Sequence, residues 1–182
     1  MTPAQAPIVT ICCTAFNHEA YIRDAIEGFL EQDFARPMEI IIHDDASTDG
    51  TAAIIEEYSR RHPGLIQPIL QKENQFSRGV KIWATHLFPR ARGRYIALCE
   101  GDDVWTDPRK LGKQVEFLER HPDFIMTSGA YERWDMRTNE RKNVITIPAD
   151  KKIRGGGYEF TLDDLKSAWI TKTLTLVFHN EQ

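Results

Sequence analysis

Two apolar runs in this chain each end in a pair of aspartates, and that combination restricts the fold more than any other feature. The runs are Glu39-Ile40-Ile41-Ile42-His43 before Asp44-Asp45, and Tyr95-Ile96-Ala97-Leu98-Cys99 before Glu100-Gly101-Asp102-Asp103. Near-continuous apolar series of this length mark strands covered on both faces, as in a parallel sheet flanked by helices. Such a sheet binds its ligand in the crevice outside the carboxyl ends of its strands. Two acidic pairs at two strand ends repel one another unless a cation or a set of donors sits between them. The pattern predicts a metal-assisted nucleotide site in an α/β protein.

The rest of the chain repeats the strand-to-helix alternation. Residues 8–13 form a first β-rich run that breaks at Thr14-Ala15-Phe16-Asn17-His18. Tyr21, Ile22, Ala25, Ile26, Phe29 and Leu30 then recur at helical spacing, ending before Pro37. A second helix is predicted through Ala52, Ile54, Ile55 and Tyr58, capped by Ser47 or Asp49. A strand over 65–70, a helix over 80–90, a helix beginning at Thr106-Asp107-Pro108 and a strand over 124–131 follow. Residues 132–160 are polar, with Gly155-Gly156-Gly157, and read as a long irregular excursion. A helix over 162–168 and a strand over 174–178 complete the chain.

At 182 residues the chain suits one domain with its own core. A net charge of -4 argues against nucleic acid as a partner. Cys12, Cys13 and Cys99 all fall in strand candidates with no zinc or disulfide spacing, and read as buried reduced thiols of a cytoplasmic protein. Residues 1–7 lack the pattern of a signal peptide. No window approaches the ~18 consecutive apolar residues of a membrane span, so a soluble or membrane-peripheral protein is expected.

Asp102-Asp103 offers oxygen ligands to a hard divalent ion, Mg²⁺ or Mn²⁺, whose shell a diphosphate can complete. A solvated acidic turn is the plain alternative for an isolated pair. Asp45 can accept the imide N–H of a uracil or thymine ring. Asp49 and Gly50 are explained as well by a cap and turn. Phe16 can stack on a nucleobase or belong to the core.

Four segments resemble glycosyltransferase family 2: Val9 to His18, Ile42 to Thr51, Gly93 to Asp103, and Asp107-Pro108-Arg109-Lys110-Leu111. Their order and spacing match over about residues 7–130. The resemblance implies a GT-A fold, a Rossmann-like, mostly parallel sheet with helices on both faces, and a metal-dependent transfer of sugar from a nucleotide-diphosphate donor with inversion. Thr14 and Phe16 would line the base pocket, Asp45 would bond the base, Asp102 would hold the ribose or share the metal, and Asp103 would be the direct metal ligand. Arg78 or Lys81 would reach the donor, and Trp105 would either flank the sugar or pack in the core. A UDP-sugar is the favoured donor, with a glycan or polyprenol-linked acceptor of an envelope polysaccharide.

An inverting transferase also needs a general base. The family places it well after the metal pair, following a strand like 174–178, and Asp163 and Asp164 precede that strand. The expectation is a shortened chain: a donor-binding domain over 1–131 and the incomplete start of an acceptor-side portion over 132–182. The competing expectation is a non-catalytic nucleotide-sugar binding module, which shares the donor motifs and lacks the base.

Overall fold

The structure, a computed structural model, describes residues 6–143, 153–154, 157–167 and 172–181. The main elements run β1 (Val9–Ala15), α1 (Ile22–Leu30), β2 (Met38–Asp44), α2 (Thr51–Arg61), β3 (Ile66–Leu70), β4 (Tyr95–Glu100), α3 (Lys110–Arg120) and β5 (Met126–Thr127). After them come a hairpin of β6 (Glu132–Asp135) and β7 (Glu140–Asn143), a short pair of β8 (Ile153–Arg154) and β9 (Gly157–Tyr158), α4 (Leu162–Ser167) and β10 (Val177–His179).

Six strands form one sheet in the order β3-β2-β1-β4-β10-β5. β1 pairs in parallel with β2 and β4, and β2 pairs in parallel with β3, whereas β10 is antiparallel to both β4 and β5. The chain beyond residue 131 therefore returns to the same sheet. The register sets Ala15 beside Asp44 and Thr14 beside Glu100, so β1, β2 and β4 end at a common edge.

Alternation along each strand divides the core into two layers. Val9, Ile11, Cys13, Ile40, Ile42, Ala97 and Cys99 face the layer built with α1, α2 and α3. Cys12, Ile41, Ile96 and Leu98 face the other side, where residues 82–91 cover the sheet through Ile82, Leu87 and Ala91. Helical segments thus cover both faces unequally. Burial removes the thiols from water and pushes the pKa of Cys12, Cys13 and Cys99 up, and all three are free cysteines.

Several boundaries depart from the sequence reading. The helix expected over 80–90 is a π turn at Trp83–Leu87 followed by a 3₁₀ turn at Phe88–Arg90; Pro89 lacks the N–H that a regular helix would need there. The strand expected over 124–131 shrinks to two residues. The excursion after residue 132 contains a hairpin, whose exposed strands show no apolar alternation. Its Trp134 ring lies under Arg141 at 4.8 Å, and its indole N–H donates to Asn139 across the turn at 3.0 Å. Gly155 and Gly156 lie outside the described residues.

Candidate functional site

The loops after β2 and β4 are both tied to the end of β1. Asp45 N–H donates to the Ala15 carbonyl at 2.9 Å, and Gly101 N–H donates to the Thr14 carbonyl at 2.8 Å. These bonds gather the three strand ends around a crevice of ≈ 900 Å³ lined by Thr14, Phe16, His18, Asp45, Phe76, Lys81, Trp83, Glu100, Asp102 and Asp103, among others. Gly101 fits because a Cβ there would come within 2.8 Å of Ile22 Cδ1 and 2.9 Å of His18 Nδ1. Asn17 and Ala46 both adopt left-handed backbone, φ 57° and 62°, at the turns leaving β1 and β2.

Asp45 is buried, and both of its carboxylate oxygens accept backbone N–H bonds from the loop after β3. Gln75 N–H reaches Oδ1 at 2.8 Å and Phe76 N–H reaches Oδ2 at 3.0 Å. Asn74 Nδ2 adds a bond to the Asp45 carbonyl at 3.2 Å. Each carboxylate oxygen has a second lone pair, so capacity for a base N–H remains. Asp44 and Asp49 both serve turns. Asp44 accepts from Ser47 N–H at 3.0 Å; Asp49 accepts from Thr51 N–H at 3.0 Å and Glu19 N–H at 3.1 Å. The α2 N-cap position itself is Gly50, whose N–H donates to Glu19 rather than to Ser47 or Asp49.

On the far side of β1, three carboxylates stand together. Desolvation pushes the Asp103 pKa up to about 6, reinforced by the neighbouring Asp102 and Glu100 charges. Glu100 is also raised, by desolvation and then by Asp102. Lys172, from the segment before β10, opposes both shifts. His18 Nε2 lies 3.9 Å from Asp102 Oδ1, near enough for attraction when the ring is protonated and too far for a hydrogen bond. Asp102 and Asp103 provide oxygen ligands in a site whose like charges a divalent cation would relieve, and in that sense the residues fit such an ion. Among the described residues no group of three or more His, Cys, Asp or Glu is arranged to hold a metal ion by itself, so a bound diphosphate would have to complete the shell.

The two cations considered for the donor separate. Arg78 pairs with Glu73 and lies outside the crevice lining, whereas Lys81 lines it. Trp105 is a core residue: it is buried, its indole N–H donates to the Leu174 carbonyl at 2.8 Å, and its ring meets Phe29 at 4.9 Å. Asp164 caps α4 through a reciprocal box with Thr161, accepting its N–H at 2.8 Å and returning its own N–H to Thr161 Oγ1 at 3.2 Å.

Sequence reasoning missed His43, Glu100, His18 and Phe76 at the crevice. His43 is fully buried at the end of β2, stacks on His86 at 5.1 Å, and is held below its ordinary pKa by burial. A histidine between an isoleucine run and an acidic pair was the available signal for it. Phe76, an aromatic residue in an otherwise polar loop, was the signal for the other wall.

The model of the family described as glycosyl transferase family 2 matches residues 10–172. An uncharacterized protein, Rv1520 of Mycobacterium tuberculosis, is 50% identical over 115 residues, covering 63% of this chain and 32% of its own length. This chain thus spans about a third of that relative. The putative teichuronic acid biosynthesis glycosyltransferase TuaG of Bacillus subtilis is 32% identical over 177 residues, covering 97% of this chain and 64% of TuaG. Among solved structures, the mannosyltransferase PcManGT from Pyrobaculum calidifontis, in complex with GDP-Man and Mn²⁺, superimposes with a TM-score of 0.61 at 26% identity, covering 72% of this chain and 37% of that one. No helix among the described residues is long and apolar enough to cross a membrane.

Proposed function

The chain belongs to glycosyl transferase family 2, and from that premise we propose that its crevice holds a nucleotide-diphosphate sugar with a divalent cation and passes the sugar, with inversion, to a glycan or polyprenol-linked acceptor. One observation carries the reading. Three adjacent strand ends bring an aromatic ring (Phe16), a buried carboxylate (Asp45) and the acids Asp102 and Asp103 into one crevice of ≈ 900 Å³, within the range of small-molecule sites.

In this reading Thr14 and Phe16 line the base pocket and Asp45 accepts the imide N–H of uracil, which favours a UDP-sugar. Asp103 ligates Mn²⁺ or Mg²⁺, and Asp102 shares the ion or holds the ribose. A bound ion supplies Lewis-acid stabilisation of the charge that builds on the departing diphosphate. Lys81, at the crevice wall, offsets phosphate charge in the place considered for Arg78. The GDP-Man and Mn²⁺ bound by PcManGT support a nucleotide sugar and a divalent ion, and the name of TuaG supports an envelope polysaccharide as product. The protein works in the cytoplasm, free or peripheral to a membrane.

Donor binding without efficient transfer is the second reading, favoured by the engagement of Asp164 in a helix cap. Calorimetric binding of UDP with Mn²⁺, set beside a donor hydrolysis assay, tests both. Binding with turnover supports the transferase, binding without turnover supports the module, and no binding of UDP or GDP overturns both.

A further inference from the structure

The order of the sheet places Asp45 between two aromatic side chains. Phe16 follows β1 and Phe76 lies in the loop after β3, and β2, which carries Asp45, runs between those strands. Both rings line the crevice and both are exposed, Phe16 at 44% and Phe76 at 75%. Neither ring stacks on another aromatic side chain among the described residues. An apolar face left in water on the lining of a crevice of this size is the arrangement expected of a binding wall rather than of packing.

The Phe76 turn is built to hold its place. Gly79, at φ 80°, closes a 3₁₀ turn over Phe76–Arg78 with its N–H on the Phe76 carbonyl at 2.9 Å. Asn74 Oδ1 accepts Ser77 N–H at 2.7 Å, and Val80 N–H returns to the Gln75 carbonyl at 3.1 Å. The turn is then fastened to Asp45 through the N–H groups of Gln75 and Phe76. Strands lie about 4.8 Å apart, so β1 and β3 are about 9.6 Å from one another. A base between two rings at contact separations of about 3.5–4 Å needs a gap of roughly 7–8 Å, and the two rings come from loops that leave β1 and β3, one strand apart.

We propose that Phe76 is the second wall of a nucleobase clamp whose first wall is Phe16, and that Asp45 both bonds the base edge and fixes Phe76 against its face. The proposal rests on the nucleotide reading above. Asp45 thereby links recognition of the edge to placement of the stacking ring, and a base bonded to Asp45 meets an aromatic face already in position. Stacking tolerates any base, so selectivity stays with the carboxylate.

The test is calorimetry on the full chain with Mn²⁺, titrating UDP and, separately, inorganic diphosphate into wild type, Phe76→Ala and Phe76→Trp. Phe76 is mostly in solvent, so its truncation leaves the core intact. The clamp predicts that Phe76→Ala weakens UDP at least about fivefold, the low end of one base–aromatic stack, that Phe76→Trp retains UDP affinity, and that diphosphate affinity is unmoved. Equal UDP affinity in wild type and Phe76→Ala overturns the clamp while leaving the nucleotide reading in place. An equal loss for UDP and diphosphate also overturns it, because the ring would then not be acting on the base. Failure of wild type to bind either UDP or GDP overturns the nucleotide reading and the clamp together.

Discussion

Replacing Asp45 with Asn tests how firmly one carboxylate holds the wall of the crevice. In the wild-type chain its two oxygens accept N–H bonds from Gln75 and Phe76 at 2.8 and 3.0 Å in a buried position. Asparagine keeps one acceptor and turns a second donor toward the remaining backbone N–H. One bond to a charged acceptor is lost, and one amide is left facing an NH₂ group. Such a bond contributes about 1.5–3 kcal/mol and an unsatisfied buried donor costs about 1–3 kcal/mol, overlapping quantities that together give roughly 2–4 kcal/mol. At 1.4 kcal/mol per factor of ten, opening of the turn becomes about 30- to 700-fold more frequent. Because this is a local opening, core amides are affected far less than the loop. Amide hydrogen exchange by NMR reads it directly: Gln75 and Phe76 should exchange faster by that factor, with Ile11 in β1 nearly unchanged. Unaltered exchange at Gln75 and Phe76 would refute the idea that Asp45 pins the turn.

Three further substitutions probe the frame around the site. Lys110 Nζ is closed to water without a hydrogen-bond partner, 4.0 Å from the Trp105 ring centroid, and desolvation pushes its pKa down to about 7. The unfolded chain keeps that proton up to about pH 10.4, so stability from this group rises with pH between about 7 and 10 and the full penalty applies below 7. Lys110→Met should therefore be more stable than wild type by about 2–4 kcal/mol at pH 6, after allowing for the lost cation–π contact; urea unfolding should show this advantage shrinking toward pH 10, and a constant difference would contradict it. A Cβ at Gly28 would lie 2.9 Å from the Trp105 carbonyl oxygen, a backbone atom two residues beyond Asp103. Gly28→Ala should cost about 1–3 kcal/mol and weaken UDP binding, and unchanged values for both would show that the loop yields without consequence. Ala46, at φ 62°, should accept glycine with a gain of about 0.5–1 kcal/mol, since left-handed backbone costs an L-residue about 1–2 kcal/mol and glycine returns part of that as unfolded-state entropy; a lower urea midpoint would count against strain there.

The strand ends were legible because each carries its own signal: an unbroken apolar run and then acids. Thr14, Phe16, Asp45, Asp102 and Asp103 duly line one crevice. What was not legible depends on chain order in space. Phe76 is thirty-one positions from Asp45 and reaches it only because β3 lies beside β2. Arg78 and Lys81 are three residues apart and indistinguishable by type, yet the 3₁₀ turn directs one to Glu73 and the other to the crevice. The hairpin at 132–143 escaped because both of its strands face solvent, which erases the alternation that marks a half-buried strand. The antiparallel insertion of β10 between β4 and β5 has no local cue at all.

Asp103 and the ion it is proposed to hold are the centre of the proposed chemistry. Titrating UDP into wild type and Asp103→Asn by calorimetry, each with and without Mn²⁺, isolates that contribution. The prediction is that Mn²⁺ tightens UDP binding at least about tenfold in wild type, about 1.4 kcal/mol, and that Asp103→Asn loses this gain while keeping its metal-free affinity. The same Mn²⁺ gain in Asp103→Asn, or no gain in wild type, would contradict the claim that this strand end carries the metal.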